Sequence, residues 1–129
     1  VKEAISTATS PSPVGPYSQG LLTDTLVFVA GQGPLDPATG QIAEGITAQT
    51  DQVLRNICGI LEAGGASMAD VVKVTVHLAD LADFAAFNRV YQEHFSPPYP
   101  VRTTVGSQLP GILVEIDAIA QRPVPSRGE

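Results

Sequence analysis

The run Val71-Val72-Lys73-Val74-Thr75-Val76-His77-Leu78-Ala79 alternates branched apolar residues with Lys73, Thr75 and His77. Side chains that change character with a period of two mark a β-strand with one face in a core, so this stretch predicts a strand with Val72, Val74, Val76 and Leu78 inward. Its flanks decide the fold class. Before it, residues from about Thr47 to Ala63 place Val53, Ile57, Ile60 and Leu61 at helical spacing, with Ile46 at the entry. Thr47 reads as the N-cap, Asp51 and Arg55 as an i,i+4 pair on the wet face, and Gly64-Gly65 as the stop. After it, a second helix is expected from Asp80, with Asp83 in the first turn to suit the dipole. Phe84, Phe87, Tyr91 and Phe95 form its core stripe, and Pro97-Pro98 ends it.

Further out, Leu21-Leu22 and Leu26-Val27-Phe28-Val29 enclose the polar Thr23-Asp24-Thr25 and read as a hairpin. In Leu35 to Gly40, Asp36 initiates a turn, Pro37 presets φ and Gly40 can supply φ > 0. Ser10 to Gly20 (SPSPVGPYSQG) reads as a shaped loop. Val101 to Ser107 reads as a strand with Arg102 and Thr104 on one face. Ile112 to Ala120 is another, with Val114, Ile116 and Ala118 on one face and Leu113, Glu115, Asp117 and Ile119 on the other. The order strands, helix, strand, helix, strands gives an α+β fold, a sheet covered on one face by two helices. The uncovered face would carry Lys73, Thr75, His77, Arg102, Thr104, Glu115 and Asp117. Such a face is either solvated or a subunit interface that holds a polar site.

The 129 residues suit one domain, 1–129, with 123–129 (PVPSRGE) as a loose tail. Apolar residues at 43% and charged residues at 16% describe a globular chain, not a disordered one. A net charge of −6 with only seven Lys and Arg argues against a nucleic-acid partner, which calls for a basic face. The single cysteine, Cys58, rules out an intrachain disulfide and fits a reducing compartment. Apolar runs such as Leu26 to Ala30 are too short to span a bilayer. Val1-Lys2-Glu3-Ala4 has no long apolar segment of the signal-peptide kind, so a cytoplasmic location is expected, or an organelle where a leader has been removed.

Two residues stand out chemically. Arg102 on a strand offers a fixed, two-pronged donor for a carboxylate; on its residues alone it reads equally as a salt-bridge partner. Glu115 interrupts an apolar strand, where a carboxylate is costly unless it is used or paired with Lys73 or Arg102. Tyr17 follows a Gly-Pro turn and either closes a small pocket or simply packs. Gly31 either admits a close backbone approach or ends a strand. His77 and His94 lack a second ligand at zinc-like spacing, and Cys58 reads as a buried structural thiol. Phosphate-loop motifs are absent, and Lys73 is the one lysine worth testing for Schiff-base chemistry.

Six blocks carry a family likeness in the right order: Gly15-Pro16-Tyr17-Ser18-Gln19-Gly20, Ala30-Gly31-Gln32-Gly33-Pro34, Asp70-Val71-Val72-Lys73-Val74-Thr75-Val76, Phe87-Asn88 with Tyr91, Pro100-Val101-Arg102-Thr103-Thr104-Val105, and Val114-Glu115-Ile116-Asp117-Ala118-Ile119-Ala120. Through them the chain resembles the RidA (YjgF) family over nearly its whole length. The resemblance implies a chorismate-mutase-like fold and a homotrimer whose sheets line a central barrel, with clefts between subunits. It implies hydrolysis of 2-imino or enamine acids to 2-oxo acids and ammonia, with no metal and no cofactor. Arg102 would bind the carboxylate and Glu115 would handle water, with Tyr17, Gly31, Asn88 and Thr104 around the substrate. Many enzyme members have Cys at the position of Thr104 and Ser at that of Ala30, which bears on substrate range. Two other functions share this fold: a binding or sensing module for small carboxylates such as 2-oxo acids, and a ribonuclease or translation inhibitor, the latter disfavoured by the acidic balance.

Overall fold

The computed structural model describes residues 2–123, so the expected loose tail lies outside the described residues apart from Pro123. The chain runs β1 (Glu3–Ile5), β2 (Gly20–Leu22), β3 (Leu26–Gln32), α1 (Ile46–Ala63), β4 (Val71–Leu78), α2 (Phe84–His94), β5 (Val101–Gly106) and β6 (Val114–Gln121). These strands form one sheet in the order β1-β2-β3-β6-β4-β5. Every pairing is antiparallel except β4 with β5, which α2 connects. The sheet is therefore mixed, and β5 is an edge strand. Both helices pack on one face, as the order of elements predicts.

The core lies between that face and the helices. Val53, Leu54, Ile57, Ile60 and Leu61 of α1 are fully buried against Val27, Val74, Val76, Ile116 and Ala120 of the sheet. Each such Leu or Ile contributes roughly 1.5–3 kcal/mol relative to exposure, and a charge at Ile57 would break the packing. Gly20 lets β2 pass close beneath α1: a Cβ there would stand 2.8 Å from Ile60 Cγ2 and from Phe28 O. The turn at Leu35–Gly40 forms as read, with Asp36 Oδ1 accepting from Ala38 N at 2.9 Å and Gly40 at φ 72°. The Asp51–Arg55 pair also forms, at 2.8 Å.

Several local expectations are corrected. The cap of α1 is Gly45 at φ 88°, not Thr47, which lies inside the helix. Val72 faces out, because the β4–β6 register shifts between Val71 and Lys73 and breaks the alternation there. Asp80 caps a 3₁₀ turn (Leu81–Asp83), accepting from Ala82 N at 2.9 Å, and the α-helix proper begins only at Phe84. Phe84, at this frayed start, is 41% exposed, whereas Phe87, Tyr91 and Phe95 are buried. Cys58 is half-buried and not a core thiol, with Sγ 3.5 Å from Glu62 Oε1.

The largest correction concerns the two sheet faces. In the parallel β4–β5 ladder Arg102 lies beside Val74 and Thr104 beside Val76. Arg102 and Thr104 therefore project from the helix-covered face. The uncovered face carries Val105, His77 and Glu115 in one row, Thr103, Thr75 and Asp117 in the next, and Val101, Lys73, Ile119 and Phe28 in a third. Lys73 lies on that face and is solvent-exposed in the single chain, so it does not point into the core.

Candidate functional site

Because β5 is an edge strand, α2 covers Arg102 from above and leaves its flank open. A cleft of about 370 Å³ remains there, lined by Asn88, Tyr91, Gln92, Tyr99, Pro100 and Arg102. The guanidinium carbon of Arg102 lies 4.7 Å from the Tyr91 ring centroid, 5.4 Å from Phe87 and 5.6 Å from Phe84. Aromatic faces attract a cation and fix its plane while leaving its in-plane N–H donors free. Among the described residues, no carboxylate lies within ion-pair distance of Arg102. The cation is thus held by rings and unneutralised, which suits an incoming anion. A larger depression, about 630 Å³ at the start of α1, is lined by Glu44, Asp51 and Glu93 and would repel one.

Two hydroxyls on the same side of the sheet await partners. Tyr91 is 5% exposed, and its hydroxyl lies beside Arg102 without a well-formed hydrogen bond to any group; Thr104 Oγ1 is likewise buried and unpartnered. Burial pushes the Tyr91 phenol up, against the opposing pull of Arg102, so it remains a neutral O–H donor at physiological pH. Periodicity places Tyr91 correctly in the aromatic stripe but does not show that the residue also lines the cleft. Tyr99 and Gln92 are further lining residues without a sequence signal.

The second cluster sits on the uncovered face. Gly31, inside β3 and not at a strand-end turn, lies where the β3–β6 register shifts between Val29 and Gln32. A Cβ on Gly31 would come 3.0 Å from Glu115 Oε2 and 3.2 Å from its Cδ. The absence of a side chain at Gly31 therefore makes room for the Glu115 carboxylate. On the other flank of Glu115, across the β6–β4 ladder, stands His77, whose Nδ1 is 2.7 Å from Ser107 Oγ. Among the described residues Glu115 makes no hydrogen bond or ion pair, so its expected partners Lys73 and Arg102 do not neutralise it.

Tyr17 belongs to neither cluster within one chain. It is 48% exposed, its hydroxyl accepts from Val14 N at 3.2 Å, and its ring lies against Gly15. Its loop is held by buried Gln19, which accepts from Thr7 N at 2.7 Å and donates to the carbonyls of Thr7, Ser10 and Pro11. One chain thus brings Asn88, Thr104 and Arg102 to one side of the sheet and Gly31 with Glu115 to the other.

Known proteins resemble this chain over nearly its whole length. A family model described as Endoribonuclease L-PSP matches residues 7–122. A RutC family protein of Pyrococcus horikoshii is 51% identical over 125 residues, covering 95% of this chain and 99% of that protein. The 2-iminobutanoate/2-iminopropanoate deaminase of Capra hircus is 44% identical over 123 residues, covering 93% of this chain and 90% of the relative. The crystal structure of E. coli TdcF with bound serine superimposes with a TM-score of 0.89 at 39% identity, covering 94% of this chain and 99% of the other.

Proposed function

We propose a reaction for this chain, which belongs to the YjgF/RidA family: hydrolysis of small 2-imino acids, such as 2-iminopropanoate and 2-iminobutanoate, to 2-oxo acids and ammonia. The observation that carries this reading is the unneutralised, ring-stacked Arg102 at the base of an open cleft. Two parallel N–H donors of Arg102 take the substrate carboxylate. The Tyr91 and Thr104 hydroxyls are further donors, and Asn88 shapes the wall. Water adds through oxygen to the imine carbon, and its proton passes to Glu115. Glu115 returns that proton to nitrogen to give the carbinolamine; it then takes the hydroxyl proton as the C=O bond forms and passes it to nitrogen, so the C–N bond breaks and ammonia leaves. Arg102 and Glu115 project from opposite faces of one sheet. A complete site therefore takes the β5 edge of one copy and the uncovered face of another, which supports a homotrimer with its sheets around a central barrel and Tyr17 at the shared cleft.

Support for the chemistry comes from the named deaminase at 44% identity and from serine, a small carboxylate, in the TdcF structure. The test is ammonia release from freshly generated imines, with the assembly followed by sedimentation. Arg102→Ala and Glu115→Gln are each expected to be inactive yet folded. Co-refolded together they should regain activity, about a quarter of interfaces pairing the two intact residues in a randomly mixed assembly. A wild type no faster than buffer would put carboxylate binding without turnover first.

A further inference from the structure

We infer that Gln32 is a positioning residue for Glu115, acting through the bulge in β3 that brings Gly31 beside that carboxylate; this rests on the hydrolase reading above, in which Glu115 handles water. Val29 pairs with Ala118 and Gln32 with Ile116, so Ala30 and Gly31 together stand opposite Asp117 alone. β3 thus carries one residue more than β6 over this step, which is a β-bulge. Val29, Gln32, Ala118 and Ile116 are all buried, on the face that the helices cover. The extra residue falls at the step where Glu115 Oε2 stands 3.0 Å from the Cβ that Gly31 lacks.

A bulge leaves ladder groups without their cross-strand partners. Both backbone groups of Ala30 are engaged elsewhere. Its N–H donates to Gln19 O at 2.9 Å, on the β2 side. Its carbonyl accepts from Gln32 Nε2 at 3.1 Å. The Gln32 side chain therefore reaches back past Gly31 and closes a clasp around it. Gln32 is 5% exposed, and a buried amide persists in a fold where its donors are used. Beyond the clasp, Asn56 Nδ2 donates to Gly33 O and Leu35 O, so the exit of β3 is also fixed. Gln32 alone among these groups spans Gly31 itself. Glu115 projects from the opposite face of the sheet, so Gln32 acts on it only through the backbone of Gly31. Releasing the Ala30 carbonyl lets that backbone shift, and a base set to draw a proton from water is sensitive to shifts below 1 Å.

The experiment combines kinetics and NMR. Gln32→Met keeps the length of the side chain but removes the donor. It should lower kcat about fivefold with KM little changed, because Arg102 on β5 is untouched. Ile57→Val, a small core cavity that also lowers stability, should leave kcat near wild type. Gln32→Glu is the second variant. Its neutral carboxyl donates to Ala30 O as the amide does, whereas its carboxylate repels that oxygen, so its kcat relative to wild type should fall as pH rises. Independently of activity, the isotope-labelled carboxylate carbon of Glu115, assigned by its loss in Glu115→Gln, should shift in Gln32→Met and hold in Ile57→Val. Wild-type kcat in Gln32→Met, a loss that Ile57→Val shares, a pH-independent ratio for Gln32→Glu, or an unmoved Glu115 resonance overturns the inference while Arg102→Ala remains inactive. An inactive wild type overturns the hydrolase reading instead, and the Glu115 resonance then decides the clasp alone.

Discussion

Replacing Gly31 with Ala tests the site through a single methyl group. The added Cβ would stand 3.0 Å from Glu115 Oε2, 3.2 Å from Cδ and 3.4 Å from Cγ. Ordinary carbon contacts begin near 3.5 Å, so the carboxylate must retreat by about half an ångström. Three successive atoms of one side chain are met, so turning the carboxylate in its plane does not relieve the contact. Misplacing a catalytic group by about 1 Å can cost roughly a hundredfold, so half of that predicts about a tenfold loss in kcat. Gly31 is not at positive φ, so Ala fits the backbone. The entropy lost from the unfolded chain even favours Ala by about 0.4–1 kcal/mol, which offsets part of the contact cost. The melting temperature should therefore stay within a few degrees of wild type. Arg102 is untouched, so KM should hold. The assay is ammonia release at saturating imine, beside thermal unfolding. Wild-type kcat in Gly31→Ala, or a melting temperature lowered by far more than a few degrees, would refute the reasoning.

Two further predictions concern the framework. Asn56 is fully buried on α1, and its Nδ2 donates to Gly33 O at 3.0 Å and Leu35 O at 2.9 Å. Asn56→Ala leaves both carbonyls without that donor and should cost about 2–3 kcal/mol in denaturant unfolding, against near-zero for an exposed substitution such as Glu62→Gln. For Tyr91, burial holds the folded phenol above its ordinary value. The folded state then keeps a proton that the unfolded state releases, so the stability it contributes is complete below about pH 10 and is lost as pH rises beyond that. Ultraviolet titration of the three tyrosines should show one ionising late, and later still in Arg102→Ala, where the favourable charge is gone. A late tyrosine that persists in Tyr91→Phe would refute the assignment.

Much of the architecture was legible because it rests on periodicity. The alternation in Val71–Leu78 and the 3.6-residue spacing of Val53, Ile57, Ile60 and Leu61 each report a buried face directly. Turn chemistry at Asp36 and Gly40 was equally local. The helix starts were less so. Gly45 caps α1 through a φ of 88° with no side-chain bond, and a short 3₁₀ turn precedes α2, neither of which spacing reveals. The bulge that turns Val72 outward is a property of the β4–β6 pairing, not of either strand alone.

The candidate site divides in the same way. Residue chemistry singled out Arg102 and Glu115: a guanidinium on a strand, and a carboxylate inside an apolar run, are conspicuous in one dimension. The residues around them acquire meaning only in three. Tyr91 has the spacing of a core aromatic, and only packing shows that it lines the cleft with its ring under Arg102. Gly31 owes its importance to an atom of Glu115, far away in the chain.

By itself, then, the sequence determined the elements, their order, the two-helix cover of one sheet face and the residues with chemistry to offer, because each follows from short-range spacing. Which face each strand turns to the helices was left to tertiary structure. Within a strand, alternation says only that neighbours point oppositely; the ladder with the next strand says which way, and a shift of one residue reverses every side chain. The Val74–Arg102 pairing thus sends Arg102 under α2, and the His77–Glu115 pairing sends Glu115 to the open face, so within one chain the two groups stand on opposite sides of the sheet.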